Sequence, residues 1–128
     1  MAILSTELRI GNLVSENVLG ISKVVGIIKS AAFLSNSPKS HYTIELKNIN
    51  PIPLTPEILE KCGFECEYVS KYAIKYTHLN HAEIGYNWTK LSGWFARYYG
   101  PILIHIKYLH QLQNLYWCLC GEELEINI

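Results

Sequence analysis

Apolar and polar residues alternate along this chain with two different periods, and the change of period is sharpest between Pro101 and Ile128. Ile102, Ile104 and Ile106 alternate with Leu103, His105 and Lys107, the period-2 signature of a strand with one face in a core. From Tyr108 the period lengthens. At about 100° of rotation per residue, Tyr108, Leu109, Leu112, Leu115, Tyr116, Leu119 and Cys120 gather on one side. His110, Gln111, Gln113, Asn114, Trp117 and Cys118 gather on the other, so a helix is predicted over 108–120. Gly121 stands where a glycine accepts the left-handed conformation that ends a helix. Beyond it Leu124, Ile126 and Ile128 alternate with Glu123, Glu125 and Asn127, which predicts a half-buried strand.

Upstream the pattern is mostly of strands. Glu7–Val14 reads as a short strand bent at Gly11-Asn12, Gly20–Ser30 as a second, and His41–Ile49 as a third, with Ser35–Ser40 as an exposed hairpin loop. Three such strands predict an antiparallel meander, of which an SH3-like barrel is the closed form. Pro51 and Pro53 make 50–54 an extended connector, because proline removes ladder donors. Thr55-Pro56-Glu57 is then a helix start, with a hydroxyl cap, proline at the first position and an acid near the positive end of the dipole. Gly63 stops that helix, giving 55–62. Phe64–Tyr68, Lys71–Thr77, Glu83–Trp88 and Trp94–Tyr99 read as further strands. No repeat and no linker divides the chain, so the expectation is a single α+β domain over 1–128, mainly antiparallel, with the longer helix packed on the sheet.

The helix over 108–120 carries no Asp, Glu, Lys or Arg, whereas a surface helix ordinarily places charges on its wet face. Its second face is therefore expected to be covered, either by another layer of the same domain or by a partner. His110, Gln113, Asn114 and Trp117 are the residues assigned to an interface, and a second copy of the chain is the expected partner.

Charge narrows the field further. Eleven basic residues balance eleven acidic ones, which disfavours nucleic acid and anionic lipid, and no apolar run reaches the length of a membrane span. The start of the chain lacks the basic and apolar regions of a secretory signal, so Cys62, Cys66, Cys118 and Cys120 are expected as free thiols in the cytoplasm. As zinc ligands they fit poorly, since residues two apart on a helix point to nearly opposite sides. His78 and His81 share a turn without a third ligand. No metal or cofactor is expected. Asp is absent altogether, and no phosphate-binding loop, dinucleotide fingerprint or nucleophile elbow occurs, so catalysis is the weaker reading.

Aromatic residues crowd the stretch 86–99, with Lys90 and Arg97 among them. Such mixtures stack bases and hold phosphates, and they are also what cross-strand pairing selects in a hairpin. Tyr86, Trp88, Trp94, Arg97 and Tyr99 are the candidates for binding a small ligand such as a nucleotide signal.

Three segments carry a resemblance: ELRIGNLV at 7–14, IPLTPEILEKCGF at 52–64 and YLHQLQNLYWCLCGEEL at 108–124. Together they resemble a family of short, functionally uncharacterised proteins frequent in Bacteroidetes genomes, their prophages and their phages. The likeness runs nearly end to end, although 65–99 matches no pattern of the family. Cys118-Leu119-Cys120 stands where the usual form has an Ala-Leu-Thr type segment, which further weakens a zinc role. No activity or catalytic residue is carried over. The resemblance implies an accessory protein of a phage or mobile element, one that binds, blocks or sequesters rather than catalyses. On this basis a self-associating interaction protein is expected first, acting on itself or on a host protein. An anti-defence binder of a nucleotide signal is expected second, and a nucleic-acid-binding accessory protein third.

Overall fold

The computed structural model describes residues 3–69, 73–78, 82–87, 94–98 and 102–127. The chain falls into two compact units, one of Met1–Pro53 with Tyr108–Asn114, the other of Leu54–Lys107 with Leu115–Ile128.

The first unit holds an antiparallel meander of β1 (Leu13–Glu16), β2 (Gly20–Ile27), β3 (Ala31–Ser37) and β4 (Ser40–Glu45), in that spatial order. The sheet is open, with β1 and β4 at its edges, so the SH3-like closure is absent among the described residues. Expected as three strands, the meander has four. A tight turn in which the Ile28 amide donates to the Ala31 carbonyl at 2.9 Å starts an unforeseen strand, and the expected loop 35–40 contracts to the turn around Pro38-Lys39. Alternation is blurred there because Ala31, Ala32 and Leu34 are all buried. The strand expected over 7–14 is also displaced. Ser5–Glu7 forms a turn of 3-10 helix, and the Asn12 side chain accepts the Arg9 amide at 2.7 Å, turning the backbone before β1 begins. After β4 the chain leaves the sheet through a 3-10 turn at Leu46–Asn48 rather than continuing to Ile49. The core of this unit is Ile3, Leu8, Val14, Val24, Ala32, Leu34 and Ile49.

The second unit opens with α1 (Pro56–Lys61), whose start was legible in the sequence: the Thr55 hydroxyl accepts the Ile58 amide at 3.2 Å. A five-stranded antiparallel meander follows, β5 (Glu65–Val69), β6 (Ala73–Thr77), β7 (Ala82–Asn87), β8 (Trp94–Tyr98) and β9 (Ile102–Ile106). Then comes α2 (Leu109–Cys120), whose first six residues belong to the first unit and the rest to the second. Gly121 ends it at φ 71, its amide donating to the Trp117 carbonyl. The segment 122–127 keeps the expected alternation, with Leu124 buried and Glu125 exposed, but joins no ladder. A bond from the Asn127 amide to the Lys61 carbonyl at 2.8 Å anchors it instead.

Candidate functional site

The uncharged face of α2 is occupied by this chain's own N-terminal segment. Gln113, 2% exposed, accepts the Leu13 amide at 2.8 Å through Oε1 and donates from Nε2 to the Gly11 carbonyl at 3.1 Å. Asn114 accepts from Arg9 Nε at 3.2 Å and Asn12 Nδ2 at 2.8 Å, and donates to the Glu7 carbonyl at 2.9 Å. His110 is fully buried, its ring stacked against Tyr108, with Nε2 3.4 Å from Glu7 Oε2. Burial lowers the pKa of His110, opposed by Glu7. The covering layer weighed from sequence thus belongs to the same unit. Of the four residues assigned to an interface, His110 and Gln113 are buried, Asn114 is half-buried and Trp117 is 43% exposed.

Of the aromatic candidates, Trp94 has a structural position. Its indole N–H donates to the Leu54 carbonyl at 3.1 Å, and its ring lies 6.3 Å from that of Tyr76. Tyr86 and Arg97 lie on β7 and β8, Tyr86 opposite Trp94 and Arg97 opposite Glu83, with their side chains outside the described residues. Trp88 and Tyr99 fall outside them altogether, as does His81.

A different group of residues forms the concave site. Within the second unit a cleft of about 790 Å³ is lined by the end of α1 (Glu60, Lys61), Cys62, Gly63, His78, Tyr116, and the segment carrying Glu122, Glu123, Glu125, Ile126 and Asn127. Gly63 shapes its floor. At φ +86 it turns the chain after α1, and a side chain there would meet His78 Nε2 at 3.4 Å. The His78 ring packs on Phe64 at 5.0 Å and edge-on against Tyr116 at 5.1 Å, with Nδ1 3.4 Å from the Tyr116 hydroxyl. Burial lowers the His78 pKa, and the charge of Glu122 partly opposes this. Burial also pushes the Cys62 thiol up to about 12, so it is protonated and a poor nucleophile at neutral pH.

Among its described residues the lining sets four acidic ones, Glu60, Glu122, Glu123 and Glu125, against one lysine, Lys61. None was singled out from the sequence. The available signal was the run Glu122–Glu125, acidic at three of four positions just past a helix-ending glycine.

None of the four cysteines is disulfide-bonded. Among the described residues no group of three or more His, Cys or Glu is placed to hold a metal ion, and no helix is long and apolar enough to cross a membrane. No family model, curated protein or solved structure matches the chain.

Proposed function

We propose that this chain is a non-enzymatic binding protein whose acidic cleft receives a small organic cation. The observation that carries this reading is the cleft itself: about 790 Å³, with four acidic residues to one lysine among the described residues of its lining. That volume suits a drug-sized ligand. Carboxylates converging on a concave surface reinforce one another's field, because the low-dielectric wall limits screening. Tyr116 and His78 add aromatic surface to the lining beside that charge. A binding role rather than catalysis is favoured by the groups next to the carboxylates. Cys62 is held as the thiol, and His78 is fixed between two aromatic rings.

Nucleotide capture has weaker support. Phosphates would meet the same carboxylates, and Trp94 is engaged with the Leu54 carbonyl. Nucleic-acid binding is disfavoured by the same charge and by the balanced total. We further read the protein as an accessory factor of a phage or mobile element acting in the host cytoplasm. The sequence resemblance and the four unbridged thiols support that placement.

Thermal denaturation with spermidine and with agmatine tests the cleft. Stabilisation is expected to grow with the logarithm of concentration, reaching about 2.7 kcal/mol at a hundredfold excess over Kd, and to weaken with salt. Glu60→Gln with Glu125→Gln is expected to weaken binding at least about tenfold without lowering the ligand-free Tm. No stabilisation by either cation at about 10 mM overturns the reading, as does binding indifferent to the two substitutions. Stabilisation by ATP instead returns the site to the aromatic hairpin.

A further inference from the structure

We propose that β4 is the edge along which two copies of this chain join, running antiparallel and centred on Thr43. This inference does not depend on the cleft.

The open edges of a sheet present unpaired amides and carbonyls, and natural proteins cover or blunt them. The first unit treats its two edges differently. On β1 the outward amides are those of Leu13 and Ser15, and both are satisfied. Leu13 donates to Gln113 Oε1 at 2.8 Å, and Ser15 exchanges bonds with Asn50 at 2.9 and 2.7 Å. On β4 nothing comparable occurs among the described residues. The register pairs Ala32 with Ile44 and Leu34 with Tyr42, and the Leu46 amide donates to the Ser30 carbonyl at 3.0 Å. Because hydrogen-bonded and non-hydrogen-bonded pairs alternate in an antiparallel ladder, Tyr42 and Ile44 bond inward to β3. His41 and Thr43 then direct their amides and carbonyls outward, and Glu45 its amide. All three are exposed.

The usual protections are missing from this strand. Ser40–Glu45 contains no proline and no lysine, and the bulge between Leu34 and Ser37 inserts its extra residue into β3, leaving β4 regular.

A second copy fits this edge by its own sequence. With Thr43 set opposite Thr43 of the other copy, His41 faces Glu45 and Glu45 faces His41, so an imidazole meets a carboxylate at both ends. Tyr42, 42% exposed, faces Ile44, a half-buried β-branched residue. Thr–Thr, aromatic–β-branched and opposite-charge pairs are those that stabilise antiparallel neighbours. This register also brings the outward-directed groups of 41, 43 and 45 into hydrogen-bonded pairs, for about four backbone bonds across the axis, the Glu45 carbonyl being turned into the 3-10 turn that follows. A shift by one residue would lose both the backbone bonds and the imidazole–carboxylate pairs. Glu45 already meets Lys47 at 3.1 Å, but both are well exposed, so that pair is weak competition. The interface is small, and the association is accordingly concentration-dependent. The arrangement satisfies the expectation of self-association at a surface other than the α2 face first assigned to it.

Sedimentation velocity of the full chain from about 10 μM to 1 mM, at low salt, tests the proposal. Wild type is expected to shift from monomer towards dimer over that range. His41→Glu, which sets like charges together at both ends, should weaken association at least about tenfold, and adding Glu45→Lys should restore it to within about threefold. Thr43→Pro, which removes a donor the protein's own sheet does not use, should abolish dimer, with circular dichroism reporting that the fold is kept. Monomer at every concentration overturns the proposal. So does a dimer indifferent to His41→Glu and to Thr43→Pro, or one that the paired charge reversal fails to rescue.

Discussion

The two halves of α2 have the same uncharged composition and entirely different surroundings. In the first half His110 and Gln113 are buried, Asn114 is half-buried, and almost every polar atom of the three is bonded to the Glu7–Leu13 segment. Among the described residues, His110 Nδ1 is the one buried side-chain nitrogen or oxygen without a hydrogen-bond partner. In the second half Tyr116 points into a cleft, and Trp117 and Cys118 are exposed. The absence of charge therefore has two meanings within twelve residues. Where amides recur at 113 and 114 it marks a polar layer folded onto backbone, and past 115 it marks a surface whose charges come from the segment that follows the helix.

The largest effects should follow from breaking the first half. Asn114→Ala leaves Arg9 Nε, Asn12 Nδ2 and the Glu7 carbonyl without their partner in a low-dielectric setting, where each unmet group costs on the order of 1–3 kcal/mol. Water will reach some of them, so a total loss of about 3 kcal/mol is expected by urea denaturation. Gln113→Ala should lose a similar amount, because the Leu13 amide at the edge of β1 loses its acceptor. A loss below about 0.5 kcal/mol for either would show that the seam is not what holds the segment to the helix.

That seam also marks the limit of what the sequence made legible. The helix over 108–120 and its glycine stop follow from period and cap, which are local properties. The five strands of the second unit were readable for the same reason, their alternation being broken by turn residues. β3 was not, since Ala31, Ala32 and Leu34 form a short apolar run without strict alternation. The amides of Gln113 and Asn114 gave correct notice that their face is covered. The covering element lies about a hundred residues earlier, and no local pattern names it. The cleft was invisible for a related reason. Its lining is assembled from 60–63, 78, 116, 122, 123 and 125–127, of which only the C-terminal stretch is a recognisable acidic run.

A smaller effect separates the halves by pH. Both His110 and His78 have pKa values lowered by burial, one in each half's surroundings. A folded-state pKa below the unfolded 6.5 means that the unfolded chain binds more protons over that interval, so stability rises with pH there. It is complete above 6.5 and is lost as pH falls towards the folded value. The chemical-denaturation midpoint should accordingly decline on acidification from pH 7 to pH 5. His110→Gln should flatten the slope more than His78→Gln, since His110 is the fully enclosed ring. Equal flattening by the two would mean that solvent reaches His110 as readily as His78.

The smallest effect is expected at Trp117, and it sharpens the comparison most. If the exposed side of the second half were a closed interface, truncating its largest side chain would dissociate an oligomer and remove a central anchor. With dimerisation assigned to β4, Trp117→Ala should change stability by no more than about 1 kcal/mol, because its side chain is 43% exposed. It should also leave the sedimentation behaviour of wild type unchanged. The same protein made His41→Glu should lose its dimer without losing stability, because His41 lies exposed on an edge strand. The two substitutions thus place self-association on one surface or the other. Loss of dimer with Trp117→Ala and its retention with His41→Glu would return the interface to α2, beside the cleft rather than at the sheet edge.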